Sequence, residues 1–167
     1  MSGDHGGGVD GPGPTQGLWL YNRNMTLVRQ VTQSARHGDP GIDGTGREVW
    51  VQCSPSFAYD LINGSSRALL PSVNAYDQGH VSCRNVDQQG WAIFSHMGPL
   101  VSQPGADQVV AVKLDGSLTV RPFGFSNHRS TTYEEMPFAV PSRDGRKMLF
   151  GSEWGAPGTA YAYILEV

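Results

Sequence analysis

No run of about 18 apolar residues occurs anywhere in the 167-residue chain, so a helical membrane span is excluded and no membrane is expected as a partner. Charge is sparse. Only 16% of residues are charged, the net charge is -3, and Arg143, Arg146 and Lys147, the densest basic group, surround a single turn. A nucleic-acid binder needs a concentrated basic face, so nucleic acid is not expected as a partner either. Cysteine is limited to Cys53 and Cys83, too far apart for a zinc motif and silent about redox compartment. Two free thiols inside strands are expected. Met1–Thr15 lacks the apolar core of a signal peptide. Its Gly-rich composition describes a disordered tail over residues 1–16 and a soluble chain whose compartment is not readable. Without a secretory signal, the glycosylation patterns at Asn24 and Asn63 carry little weight. Helix is missing as well: Val73–Gln78 is short and has no apolar stripe, and Ser126–Glu135 is polar and β-branched and reads as an insertion loop. No Gly-x-Ser-x-Gly elbow, phosphate loop or zinc-protease motif is present.

What the chain has in quantity is turns. It carries 22 Gly and 11 Pro among 38% hydrophobic residues, the composition of many short strands. One phrase recurs: a weakly apolar strand ending at an Asp, a polar turn, then a strongly apolar strand. It runs over His37–Asp43 and Arg47–Cys53, over His80–Asp87 and Gly90–Ser95, and over Phe138–Val140, Asp144-Gly145 and Lys147–Phe150. The anchor aspartates 43, 87 and 144 are about 44 and 57 residues apart, periods that suit a four-stranded unit repeated around an axis. Leu18–Tyr21 and Leu27–Val31 precede the first copy. Phe57–Leu61 and Arg67–Leu70 complete it, Gln108–Leu114 and Leu118–Phe123 complete the second, and Ala160–Val167 follows the third. Thirteen strands are therefore predicted, grouped two, four, four and three. Ile42, Val81 and Ala139 should lie on the first strands, packed on Val49–Val51, Ala92–Phe94 and Met148–Phe150.

Pro141-Ser142-Arg143-Asp144-Gly145-Arg146-Lys147-Met148-Leu149-Phe150 resembles the strand-turn-strand signature of TolB-like bacterial β-propellers. Gly79–Asp87 with Gly90-Trp91-Ala92, and His128-Arg129-Ser130 with Tyr133–Gly145, resemble the oligogalacturonate-lyase-like propellers more closely still. The resemblance covers residues 17–167 and implies a partial propeller of about three and a half blades, in parts 17–32, 36–71, 79–124 and 136–167. Such propellers usually close with seven blades. The resemblance therefore implies the C-terminal blades of a longer propeller, with missing blades or another protomer as partner.

His37 lies six residues before Asp43, His80 seven before Asp87 and Phe138 six before Asp144. First strands line a propeller channel, so His37 and His80 are candidate metal ligands there. The one-residue difference in offset argues against a shared direction, because one step along a strand reverses a side chain; a bulge, or the extra residue in Arg84-Asn85-Val86, would repair the phase, and two histidines near one end of the channel without a strongly held metal are expected. In lyase-type relatives a histidine and glutamine cluster holds a divalent cation, such as manganese, that neutralises a uronate carboxylate. Phe138 stands where those relatives often have a third histidine. The expectation is therefore a non-catalytic scaffold or ligand-binding segment without a cofactor, with carbohydrate as the candidate ligand and a metal-assisted polysaccharide lyase as the alternative. Arg84, placed in a first strand, is a candidate clamp for an acidic sugar, and His128 on the insertion loop is a candidate ligand-binding residue in place of the third histidine, although a loop histidine followed by Arg129 is more often solvated. Trp154 is a candidate sugar-stacking surface. Asp43, Asp87 and Asp144 are expected to accept N–H bonds in their own turns. Glu134 and Glu135, neighbours in sequence, point apart in a strand and cannot easily flank one glycosidic bond.

Overall fold

The computed structural model of the protein describes residues 17–53, 55–70, 79–96, 107–128, 135–154, 156 and 158–166. The tail 1–16, Val73–Gln78, residues 129–134 of the insertion loop and Val167 lie outside the described residues.

Alternating apolar positions and closely spaced turns produce an all-β chain, with no α-helix among the described residues. Its strands are β1 (Leu18–Tyr21), β2 (Leu27–Thr32), β3 (Gly38–Ile42), β4 (Glu48–Gln52), β5 (Phe57–Asp60), β6 (Ser66–Ala68) and β7 (Gly79–Ser82). They continue as β8 (Trp91–His96), β9 (Gln108–Lys113), β10 (Val120–Phe125), β11 (Val140–Pro141), β12 (Lys147–Ser152) and β13 (Tyr161–Glu166). These form four separate antiparallel sheets in chain order, β1-β2, β3-β4-β5-β6, β7-β8-β9-β10 and β11-β12-β13, each pairing only sequential neighbours. The grouping two, four, four, three is the one that the sequence predicts.

The sheets stack face to face, and the third is shared. Because side chains alternate along a strand, β8 and β9 feed two cores. Ala92, Phe94, Val110, Val112 and Leu114 pack with Val49, Val51 and Ala58 of the second sheet. Ile93, Val109 and Ala111 pack instead with Ala139, Met148 and Phe150 of the fourth. Polar stitches tie the same neighbours. Arg29 of β2 donates to the carbonyls of Asp60 and Leu61. Gly90 N–H donates to the Ile42 carbonyl at 2.9 Å, and Asp87 N–H to the Arg143 carbonyl at 3.1 Å. The result is an open, propeller-like series of sheets, with no closed barrel among the described residues.

Three local expectations are corrected. β7 stops at Ser82, well short of Asp87, because the Asn85 amide closes the turn early by donating from Nδ2 to the carbonyls of Gln88 and Trp91, both at 3.0 Å. β10 begins at Val120 rather than Leu118, whose φ of 58° belongs to the preceding turn. β11 is confined to Val140–Pro141, since Phe138 has φ 39° and leaves the extended region. Ile42 and Val81 lie in β3 and β7 as expected, whereas Ala139 sits one residue ahead of β11 and donates its N–H to Ser95 Oγ at 3.2 Å.

Candidate functional site

The start of each later sheet contributes one ring to a common cluster. His37 occupies a bend one residue before β3, His80 lies in β7, and Phe138 precedes β11. The His37 and His80 ring centroids are 4.8 Å apart, and those of His80 and Phe138 are 4.2 Å apart. His37 Nδ1 meets His80 Nδ1 at 3.3 Å. The unequal offsets from the anchor aspartates do not separate the rings, because neither His37 nor Phe138 lies within a strand, where pleat alternation would fix its direction. Cys53 fastens the backbone beneath the pair: its thiol reaches the carbonyls of His37 at 3.1 Å and Gly79 at 2.9 Å.

A short contact between two Nδ1 atoms requires one to donate and the other to accept, so at most one carries a proton. Burial first, and the neighbouring His37 ring second, pull the His80 pKa down to about 4. His80 is therefore neutral near pH 7.

Two nitrogens bound to one ion at about 2.1 Å in a tetrahedral arrangement would sit about 3.4 Å apart, so the separation suits a shared proton or a shared ion equally. The donor set does not suit a catalytic centre, which takes three protein ligands. The ring next to His80 is the apolar Phe138, and no group of three His, Cys, Asp or Glu able to hold a metal exists among the described residues.

The other candidates lie apart in character. Arg84 is exposed and outside β7, which corrects its placement in a first strand. His128 is not solvated: it is fully buried, with Nδ1 at 2.9 Å from Glu153 Oε2, itself buried. Sequence reasoning passed over Glu153, whose only signal is its position directly after the apolar strand β12. Trp154 is 54% exposed, with its ring 5.1 Å from that of Tyr163. Glu135 accepts from the Gly158 N–H at 2.8 Å, and Glu134 lies outside the described residues.

Of the three anchors, two behave as expected. Asp43 accepts from the N–H groups of Thr45 and Arg47 and from the Thr45 hydroxyl, and pairs with Arg67 at 2.7 Å. Asp144 accepts from Arg146 N–H and the Ser142 hydroxyl. Asp87 instead pairs with Arg143 across the sheet boundary at 2.9 Å. Both thiols are free and buried. Burial pushes Cys53 up to about 12 and raises Cys83 further, with the Asp39 charge adding to the latter, so neither is a nucleophile near neutral pH. No protein-family model, curated protein or solved structure matches the chain.

Proposed function

We propose that the chain is a non-catalytic set of β-propeller blades, a scaffold whose last sheet receives a further blade. The supporting observation is a row of apolar side chains on the outer face of the fourth sheet. Directly paired residues of an antiparallel sheet share a face, and Val140, Leu149 and Ile164 are consecutive partners in register. They are 36%, 49% and 66% exposed, while the opposite face of the same strands buries Met148 and Phe150. The Lys147–Glu166 ion pair closes one end of the row. The third sheet, by contrast, is covered on both faces, by the second sheet and by the fourth, and an uncovered apolar face favours association. The occupant is another antiparallel sheet with an apolar face, supplied either by additional blades of a longer polypeptide or by another protomer. The TolB-like phrase at Pro141–Phe150 belongs with this reading, and Trp154 provides an exposed aromatic surface for a carbohydrate.

Sedimentation velocity over a concentration series tests the scaffold. The chain should self-associate, and Leu149→Lys with Ile164→Lys should return it to monomer. A wild-type chain that stays monomeric at all concentrations and unfolds cooperatively above the usual mesophile range would sink the proposal.

The second reading, a metal-assisted polysaccharide lyase, is favoured by the 3.3 Å approach of His37 and His80. Elemental analysis and ultraviolet detection of unsaturated uronate product separate the two. A stoichiometric manganese, calcium or zinc ion lost in His37→Ala/His80→Ala, together with product formation, would replace the scaffold by the enzyme.

A further inference from the structure

The fourth sheet ends at β13, which has no neighbouring strand beyond it among the described residues, whereas the second and third sheets carry a fourth strand, β6 and β10. An open edge offers main-chain donors and acceptors to any other strand, and proteins block it with proline, irregular register, charge or shortness. The remaining edges are blocked in these ways. β3 has Pro40 at its centre, β10 carries Pro122 and a register shift, and β2 shifts register twice against β1. β1 and β7 have four residues, β6 three and β11 two. β13 instead runs for six residues, Tyr161–Glu166, in unbroken register with β12 and without proline. Its one charge, Glu166, lies at the end of the strand and is paired with Lys147.

The direction of the open groups follows from β12. Gly151 N–H donates to the Pro137 carbonyl at 2.8 Å, and the Lys147 carbonyl accepts from Ser142 N–H at 2.7 Å, so these alternate residues turn their main-chain groups toward β11. Met148, Phe150 and Ser152 therefore turn theirs toward β13, where their partners in register are Leu165, Tyr163 and Tyr161. The N–H and C=O groups of Ala162, Ile164 and Glu166, all exposed residues, point away from β12. This set is symmetric about Ile164. A second copy laid antiparallel, with Ile164 opposite Ile164, sets each Ala162 opposite the other copy's Glu166. Two bonds in each of those three pairs then satisfy every outward group of both strands. Between them Tyr163 faces Leu165, an apolar pair, and no like charges meet. The space is open on the inner side too: a Cβ at Gly124 of β10 would lie 2.7 Å from Leu165 Cδ1, so β10 runs beneath β13 rather than beyond it.

We propose that β13 joins two copies of this chain edge to edge, about a two-fold axis at Ile164, into one sheet of order β11-β12-β13-β13-β12-β11. The row of Val140, Leu149 and Ile164 then continues into the same row of the second copy. The contact is made by the strand edge and holds whether or not the outer face receives a blade.

Ile164→Lys breaks this contact as well as the face, by setting two lysines opposite each other, so Leu149→Lys alone separates them: it charges the face and leaves the edge intact. In sedimentation velocity Leu149→Lys should remain a concentration-dependent dimer. The amide hydrogens of Ala162, Ile164 and Glu166 should exchange at least about tenfold more slowly in that dimer than in the dilute monomer. Adding Ala162→Pro removes an outward N–H and sets the proline ring against the second copy, yet spares the bonds to β12 and the side chains of the apolar row. This variant should be monomeric with the near-ultraviolet spectrum of the folded chain, and Ala162→Ser in its place should dimerise like the parent. Should the proline variant not fold, the exchange measurement decides alone. A monomeric Leu149→Lys, a dimer of the folded proline variant, or three amides that exchange equally fast at all concentrations would each overturn the proposal. The first of these would leave the face as the contact, whereas a wild-type chain no larger than the Leu149→Lys dimer would count against the face and support the edge.

Discussion

Asp43 and Asp87 sit in corresponding turns of successive sheets, yet one is 5% exposed with four partners and the other holds a single surface pair with Arg143. Asp43→Ala should therefore cost about 2–3 kcal/mol in urea unfolding, because it strands two turn N–H groups and the Arg67 guanidinium. Asp87→Ala should leave the midpoint nearly unmoved, as expected for an exposed pair. The same contrast governs pH. Burial alone would raise the Asp43 carboxyl, but the hydrogen bonds from Thr45, Arg47 and Arg67 outweigh it and lower the pKa to about 2. A depressed carboxyl pKa means that its stabilisation is complete above the unfolded value near 4 and is lost as pH falls toward 2. His80 adds a second window. Its pKa is lowered from 6.5 to about 4, so the unfolded chain binds a proton that the fold rejects, and stability should decline as pH drops from about 6.5 to about 4. Unfolding measured across that window should lose this part of its slope in His80→Phe, whose ring can keep the contact with Phe138. An undiminished slope in the folded variant would refute the assignment.

At the scale of elements, the clearest text in the sequence is the alternation of β8 and β9. Ile93, Val109 and Ala111 serve one core while Phe94, Val110 and Val112 serve the other. Phe94→Ala and Met148→Ala empty different cores. Each should cost about 3–5 and 2–5 kcal/mol respectively, and the double mutant should be additive within about 0.5 kcal/mol. Strong coupling between them in calorimetry would mean that the two cores are one. Periodicity and Asp-Gly or Asn-Gly turns made all thirteen strands legible, because both are local properties of a pleated chain. Strand ends were less legible: the positive φ of Phe138 and Leu118 goes against the preference of their side chains, so no local signal announces it. The proximity of His37, His80 and Phe138 could be anticipated from the repeat. The buried His128–Glu153 pair could not, since nothing local distinguishes a loop histidine facing solvent from one sealed by residues 25 positions away. Nor could sequence show that Asn85, rather than Asp87, secures the turn after β7, because both residues cap turns equally well.

The whole molecule depends on how closely neighbouring sheets approach at their turns. Gly90 has φ 86°, and a Cβ there would lie 3.0 Å from the Gly44 backbone of the second sheet. Gly46 has φ 84° but nothing within 4 Å of a Cβ. The two glycines therefore separate backbone strain from inter-sheet fit. Gly46→Ala should cost about 1 kcal/mol from strain alone. Gly90→Ala should cost clearly more and broaden the unfolding transition as the second and third sheets lose contact; equal losses in the two variants would show that the approach at Gly90 is not stabilising. The shared third sheet also has a consequence for synthesis. A chain leaves the ribosome from its N-terminus, so β7–β10 emerge beside a second sheet that is already available, while β11–β13 are still to be made. During that interval Ile93, Val109 and Ala111 have no cover, and their exposure lasts until translation reaches Met148 and Phe150. Slow codons placed between the coding regions of β10 and β12 should therefore lower soluble yield, whereas the same codons ahead of β3 should not.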